Sequence, residues 1–217
     1  MSYLEVREVS KSIGSERILD SVSFSADSGE VVCLEGENGS GKTMAMRVVC
    51  GLVRPDSGYV EIAGKRLWEG ASFPPSVGLL IETPALLDNY SAMDNLSLLA
   101  SIRGVASAEQ LRYAIERVGL GQCGAKPVRK FSLGMRQRLG IAMAIMEEPD
   151  LLVLDEPTNA LDEEGVSLLV RIINEERMRG ATLLVSSHDG DFVGAVATRV
   201  YRMSYGRVKG EEEGGAR

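Results

Sequence analysis

The chain has 217 residues, enough for one α/β domain with a full core, and its net charge of −7 argues against a general nucleic-acid-binding surface. No uninterrupted apolar run approaches the roughly 20 residues that span a bilayer, and Met1 to Ser10 alternates like a strand without a signal-peptide pattern, so any membrane role passes through another chain. Cys33, Cys50 and Cys123 are odd in number and scattered, which fits a reducing cytosol and ordinary apolar packing.

In chain order, Leu4, Val6 and Val9 predict a first strand and Val22 to Ala26 a second, with Asp27-Ser28-Gly29-Glu30 as the turn that follows. Short strands separated by turn residues predict an antiparallel layer beside a main sheet. Val31 to Glu35 reads as a buried strand, and Met44 to Cys50 as a helix that stops at Gly51. Between them lies Gly36-Glu37-Asn38-Gly39-Ser40-Gly41-Lys42-Thr43, which fits G-x-x-x-x-G-K-S/T, the P-loop pattern. Its glycines free backbone N–H groups to wrap a phosphate, and the helix N-terminus adds partial positive charge. Lys42 is placed to reach the terminal phosphates and the Thr43 hydroxyl to bind Mg²⁺.

Arg54 to Gly58 is a turn, Tyr59 to Ile62 alternates, and Ser76 to Ile81 reads as another core strand. From 83 to 148 the texture is helical. Ser91 with Asp94 is a capping pattern, followed by Leu96, Leu99 and Ile102 at helical spacing. Ser107 with Gln110 repeats the device ahead of Leu111, Ala114, Ile115 and Val118, and Gly119 stops that helix. Ser132 opens a third helix, apolar at Leu139, Ala142, Ile145 and Met146, and Pro149 closes it. Residues 83–148 therefore read as a helical subdomain inserted between core segments 1–82 and 149–217.

Leu151 to Leu154 is a continuous apolar strand, as expected where helices cover both faces. Asp162 to Met178 is helical with Val166, Leu169, Ile172 and Ile173 on one side, Thr182 to Ser186 is a further buried strand, and Val200 to Met203 with Arg207 to Lys209 predicts a hairpin. Residues 211–217 read as a disordered tail. No internal repeat is visible.

Three further constellations carry chemistry. Asp155-Glu156 ends an apolar strand, where open α/β sheets bind ligands. Asp155 falls where it holds Mg²⁺ directly or through water, and Glu156 where it orients or deprotonates an attacking water. His188, the only histidine, follows the next buried strand at the same sheet edge, in reach of a γ-phosphate. Ser132-Leu133-Gly134 opens a helix with a serine cap and offers a second candidate anion site, far from the first in sequence and available to a neighbouring molecule.

The order P-loop, helical insert, Ser132 to Arg138, Leu151 to Asp162, Ser186 to Asp189 resembles the ATP-binding subunits of ABC transporters, from about Leu4 to Lys209. The resemblance implies a P-loop NTPase core with a mainly parallel sheet. It also implies an ATPase that uses ATP and Mg²⁺, as a homodimer or paired with a similar ATPase chain. In such a head-to-tail dimer two ATP lie between the P-loop of one subunit and Ser132 to Gly134 of the other. Glu156 matches the family's catalytic base, His188 its switch histidine and Asn159 to Asp162 its D-loop. The implied partner is a separate transmembrane permease chain, with the ATPase peripheral on the cytoplasmic face of the cell membrane and no nucleic acid involved.

Four positions depart from the family pattern. Glu82 stands where a glutamine is usual, as a catalytic-site and metal-ligand candidate. Leu133 and Met135 replace a glycine and a glutamine in the signature. Ile13 stands where an aromatic ring usually stacks on adenine. The Glu82 segment and the signature together resemble the bacitracin-resistance and lantibiotic-immunity branch, which exports peptide antibiotics. The competing readings are a soluble ABC-type ATPase acting on a non-membrane partner and a P-loop kinase of small molecules. Pro84 to Tyr90, with Ala85, Leu86 and Leu87, is the expected docking segment for the partner.

Overall fold

The computed structural model describes residues 2–216. Its centre is a six-stranded sheet in the order β10-β9-β3-β8-β7-β6, formed by β3 (Val31–Glu35), β6 (Val77–Leu80), β7 (Leu151–Asp155), β8 (Thr182–Ser187), β9 (Arg199–Ser204) and β10 (Arg207–Glu213). All neighbours are parallel except β10, which returns antiparallel to β9. The apolar runs explain the central positions: every residue of β7 and β8 is buried. Along β7 the side chains alternate, Leu151 and Val153 joining one core and Leu152 and Leu154 the other. Each such Val or Leu contributes about 1.5–3 kcal/mol on burial.

The second sheet is antiparallel, with order β2-β1-β4-β5, built from β1 (Ser2–Ile13), β2 (Glu16–Asp27), β4 (Ser57–Ile62) and β5 (Lys65–Arg66). It closes one core with helix α1 (Lys42–Val49) and one face of the main sheet, where Leu4, Leu19, Phe24 and Ile62 meet Met46 and Leu34. The antiparallel layer, the P-loop strand and helix, and the buried strands thus match the sequence reading, although β1 and β2 are longer than predicted.

Between β6 and β7 run α2 (Ala92–Arg103), α3 (Ala108–Arg117) and α4 (Leu133–Ile145). Both predicted capping boxes are present: Ser91 and Asp94 cap α2, Ser107 and Gln110 cap α3. Leu111, Ala114, Ile115 and Val118 are buried as expected, as are Leu139, Ala142, Ile145 and Met146. The α2 stripe differs. Its inward line is Ala92, Leu96 and Ala100, whereas Leu99 and Ile102 are exposed, Ile102 by 77%. They line a groove of about 460 Å³ with Leu79, Ile81, Ala85 and Met143, beside the edge strand β6.

The core is completed by α5 (Glu163–Arg179), capped by Asp162 and ended by Gly180, and by α6 (Gly190–Val196). Asp162 accepts from Gly165 N–H and from Arg138, and both hold its carboxyl below the usual range. In α5, Leu169, Ile172 and Ile173 are buried, while Val166 is only half-buried. An ion-pair cluster ties α3 to α5: Arg117 bonds Glu176 at 2.5 Å and Glu175 at 2.8 Å, and Arg179 also holds Glu176. Glu176 is 2% exposed.

The expected disordered tail is corrected in part. Glu211 to Glu213 pair with Tyr201, Val200 and Arg199 as the end of β10, and Gly214 and Ala216 bond back to Thr198 and Ala197. Arg199 and Arg202 lie opposite these carboxylates and offset their mutual repulsion, as Arg202–Glu212 at 3.1 Å shows. Arg217 lies outside the described residues.

Candidate functional site

The site sits at the carboxyl ends of β3, β7 and β8, as an open α/β sheet predicts. After β3 the chain must turn at once against β9. At Gly36 a Cβ would lie 2.3 Å from the Met203 carbonyl oxygen, so no side chain fits. Gly39 and Gly41 take φ of 82° and 103°, and Gly41 caps α1. The β9–β10 turn braces the loop from behind through a Gly206 N–H to Ser40 O bond of 3.0 Å.

Lys42 is 5% exposed, and its ammonium crosses the loop to donate to Gly36 O (2.6 Å) and Glu37 O (3.2 Å). The same Nζ lies 3.4 Å from Glu156 Oε1. Thr43 Oγ1 donates to Asp155 Oδ2 at 2.7 Å, and Ser186 Oγ, at the end of β8, donates to Asp155 Oδ1 at 2.5 Å. Ser186 Oγ also accepts from the Glu156 N–H, fixing a turn in which Glu156 has φ of 46°. Such left-handed backbone at a non-glycine is uncommon and concentrates at functional sites. Glu156 Oε2 meets His188 Nδ1 at 2.9 Å. Six of the candidate groups, Lys42, Thr43, Asp155, Glu156, His188 and the P-loop backbone, are therefore joined in one cluster.

Two buried polar atoms in this cluster have no hydrogen-bond partner, Ser40 Oγ and Glu156 Oε1. Leaving the Ser40 hydroxyl unsatisfied costs about 1–3 kcal/mol, so a ligand or water oxygen fits there, while Glu156 Oε1, with only the Lys42 ion pair at 3.4 Å, has room to accept from a water. Among the described residues no group of three or more His, Cys, Asp or Glu forms a self-sufficient metal site. The donor set is one hydroxyl and one buried carboxylate, Thr43 and Asp155. That suits Mg²⁺, which is held by one or two carboxylates with the rest of its shell from waters and substrate phosphates.

Glu82 and Leu133 line a cleft of about 410 Å³ together with Thr43, Asp155 and Glu156. The Glu82 carboxylate itself accepts from Arg47 Nη2 at 2.7 Å, so its present partner is a cation on α1. Ser132 caps α4 through the Met135 N–H at 3.2 Å and is exposed, with Leu133 beside it 75% exposed. Gly134 packs so tightly on the Asn159–Asp162 segment that a Cβ would lie 2.9 Å from Ala160 O. Gln137 bonds Pro157 O, and Arg138 bonds Asp162 at 2.9 Å. The second anion-site candidate is thus fastened to the strand-end loop but presents its first turn outward. Ile13, at the tip of the β1–β2 hairpin, is 57% exposed.

Sequence reasoning missed Ser186 and Arg47. Ser186 carried a faint signal, a polar residue closing a continuous apolar strand. Arg47 carried none, since its partner lies 35 positions away. Ion pairs on the docking segment were also missed: Asp88 bonds Arg136 of α4 at 2.8 Å.

A family model described as ABC transporter matches residues 19–159. An ABC transporter ATP-binding protein of Bacillus subtilis, YybJ, is 43% identical over 210 residues, 97% of this chain and 96% of that protein. The lantibiotic transport ATP-binding protein SrtF of Streptococcus pyogenes is 40% identical over 185 residues, 85% of this chain and 80% of that protein. The bacitracin transport ATP-binding protein BcrA of Bacillus licheniformis is 36% identical over 189 residues, 86% of this chain but 62% of that longer protein. Among solved structures, an ATP binding subunit of an ABC transporter superposes with a TM-score of 0.89 at 30% identity, covering 97% of this chain and 90% of that one.

Proposed function

The chain belongs to the ABC transporter family as an ATP-binding, ATP-hydrolysing subunit, and from that premise we propose that it pairs head to tail, with a second copy or a similar ATPase chain, around two ATP. We propose further that this pair drives a separate transmembrane permease, on the inner face of the cell membrane, to export peptide antibiotics. The observation that carries the reading is the joined cluster Lys42–Glu156–His188 with Thr43–Asp155, facing one side, while Ser132 to Gly134 present a helix start outward.

Within that reading each residue has a task. The P-loop N–H groups and Lys42 hold the β- and γ-phosphates. Thr43 and Asp155, with Glu82 from the same cleft, would hold Mg²⁺, which would neutralise charge developing on the phosphates. Glu156, through Oε1, takes the proton of a water as the water's oxygen bonds the γ-phosphorus and the bond to ADP breaks. His188 holds Glu156 through Nδ1 and leaves Nε2 for a γ-phosphate oxygen. The exposed groove around Leu79, Leu99 and Ile102, with Leu87 and Tyr90 of the docking segment, receives the permease. The Asp88–Arg136 pair links that segment to the signature helix. The lantibiotic and bacitracin transport names of the relatives support the substrate class.

Binding and turnover separate by mutation. Lys42→Ala is expected to weaken ATP binding in calorimetry, whereas Glu156→Gln keeps binding and abolishes most phosphate release. Normal phosphate release by Glu156→Gln would remove Glu156 from the chemistry.

A further inference from the structure

Glu82 is the one proposed metal ligand whose carboxylate is held by a cation of another element. Arg47 stands four residues after Thr43, one turn along α1. Positions i and i+4 lie on one helix face with Cβ atoms about 5–6 Å apart. The same face of α1 therefore presents the hydroxyl of the proposed Mg²⁺ site and, one turn on, the guanidinium that bonds Glu82. Glu82 itself follows β6 with φ of 58°, a conformation uncommon for a residue with a side chain. It lines the cleft that holds Thr43, Asp155 and Glu156.

We propose that Arg47 is a positioning residue that competes with the divalent ion for Glu82. This rests on the reading of Thr43, Asp155 and Glu82 as the metal's ligands. The cleft gathers three carboxylates, and Lys42 faces only one of them, Glu156. Without a cation Glu82 is repelled by the other two, and Arg47 gives it a place to rest outside the metal position. With a divalent ion present the two cations contend for one carboxylate. The outcome sets the ion concentration at which Glu82 leaves Arg47 for the metal. The pair is solvent-accessible, with side chains 35% and 59% exposed. That makes it weak enough to yield, which a buried pair would not be. A glutamine at position 82 would carry no charge for Arg47 to hold.

The test uses Mn²⁺ as the probe, with free ion read by electron paramagnetic resonance, on full-length protein in excess over ATP in a Glu156→Gln background. Occupancy, not turnover, is the readout. Arg47→Met should tighten Mn²⁺ by about two- to five-fold, the range of an exposed ion pair. Arg47→Lys should stay near the parent. Glu82→Gln should weaken Mn²⁺, and adding Arg47→Met to Glu82→Gln should change nothing further. If Arg47→Met is silent while Glu82→Gln weakens Mn²⁺, the Arg47 inference is overturned alone. The same holds if Arg47→Met tightens Mn²⁺ equally with Glu82 replaced. If Glu82→Gln leaves Mn²⁺ unchanged, the metal role of Glu82 falls and the inference falls with it.

Discussion

Arg117→Leu should loosen the helical insert from the core by an amount the structure lets one work out. Glu176 is buried, with Oε1 bonded by Arg117 Nη1 at 2.5 Å and Oε2 by Arg179 through Nε at 3.0 Å and Nη2 at 2.8 Å. Burial pulls the Arg117 guanidinium pKa down, but its bonds to Glu176 and Glu175 outweigh that and leave it raised. Stranding a buried charge entirely would cost about 3–5 kcal/mol. Here Arg179 stays on Oε2, so the loss is one bond to a charged group, about 1.5–3 kcal/mol. The Glu175 contact is discounted because that side chain is 40% exposed. For a chain of this size each kcal/mol shifts Tm by about 2–4 °C, giving a drop of about 3–12 °C. Differential scanning calorimetry of Arg117→Leu, Glu176→Gln and the double variant measures it. The reasoning is refuted if Arg117→Leu shifts Tm by less than about 1 °C, or shifts it equally with Glu176 already replaced.

The remaining predictions concern the base, the thiols and the groove. Ile13→Tyr should tighten ATP by about two- to twelve-fold, the value of an aromatic stack of roughly 0.5–1.5 kcal/mol, and favour it over GTP; calorimetry showing no gain would mean another ring, with Tyr205 beside the P-loop the first to examine, already covers the base. Burial pushes the Cys33 and Cys50 thiols up to about 12, so at pH 8 only about one in ten thousand of each is thiolate. Cys123, only half-buried, should be alkylated first, with the other two following on unfolding; equal rates for all three would contradict this. Ile102→Asp should leave folding and ATP binding intact and abolish permease-stimulated hydrolysis. Ile102 is a cleaner probe than Leu86, which is half-buried against the core. A stimulated rate equal to the parent's would remove the groove as the docking site.

Much of the fold was legible because its signals are local. The apolar run Leu151 to Leu154 is short and bounded by Pro149 and Asp155, as a strand covered on both faces is, and the glycines at 36, 39 and 41 ahead of Lys42 stand between a strand and a helix, the setting a phosphate loop needs. The capping boxes at Ser91 and Ser107 were equally direct, since both partners lie within one turn. What escaped depends on distance in sequence. Periodicity places Leu96, Leu99 and Ile102 on one side of a helix but does not say how wide the covered stripe is, and only Leu96 is fully covered. Three acids in a row at Glu211 to Glu213 look solvated until Arg199 and Arg202 appear opposite them. Glu176 continues the Leu169, Ile172 and Ile173 stripe of α5 at helical spacing, and what its sequence neighbourhood does not show is the partner that lets a charge be buried there, Arg117, 59 positions earlier in the chain. In the site, the P-loop and Asp155-Glu156 announced themselves by motif, whereas Ser186 and Arg47 act through partners that no spacing rule connects.

The central claim is that two ATP are enclosed between a P-loop and the outward-facing Ser132 to Gly134 turn of a second chain. Analytical ultracentrifugation of Glu156→Gln, with Mg²⁺ and excess ATP, measures it most directly. The account predicts a dimer of this chain, or a one-to-one complex with its paired ATPase, holding two nucleotides. It further predicts that Ser132→Arg, placing a cation and bulk at the turn, returns the protein to monomers that still bind ATP. ATP-saturated Glu156→Gln that stays monomeric both alone and with the paired chain, or a dimer untouched by Ser132→Arg, would contradict it.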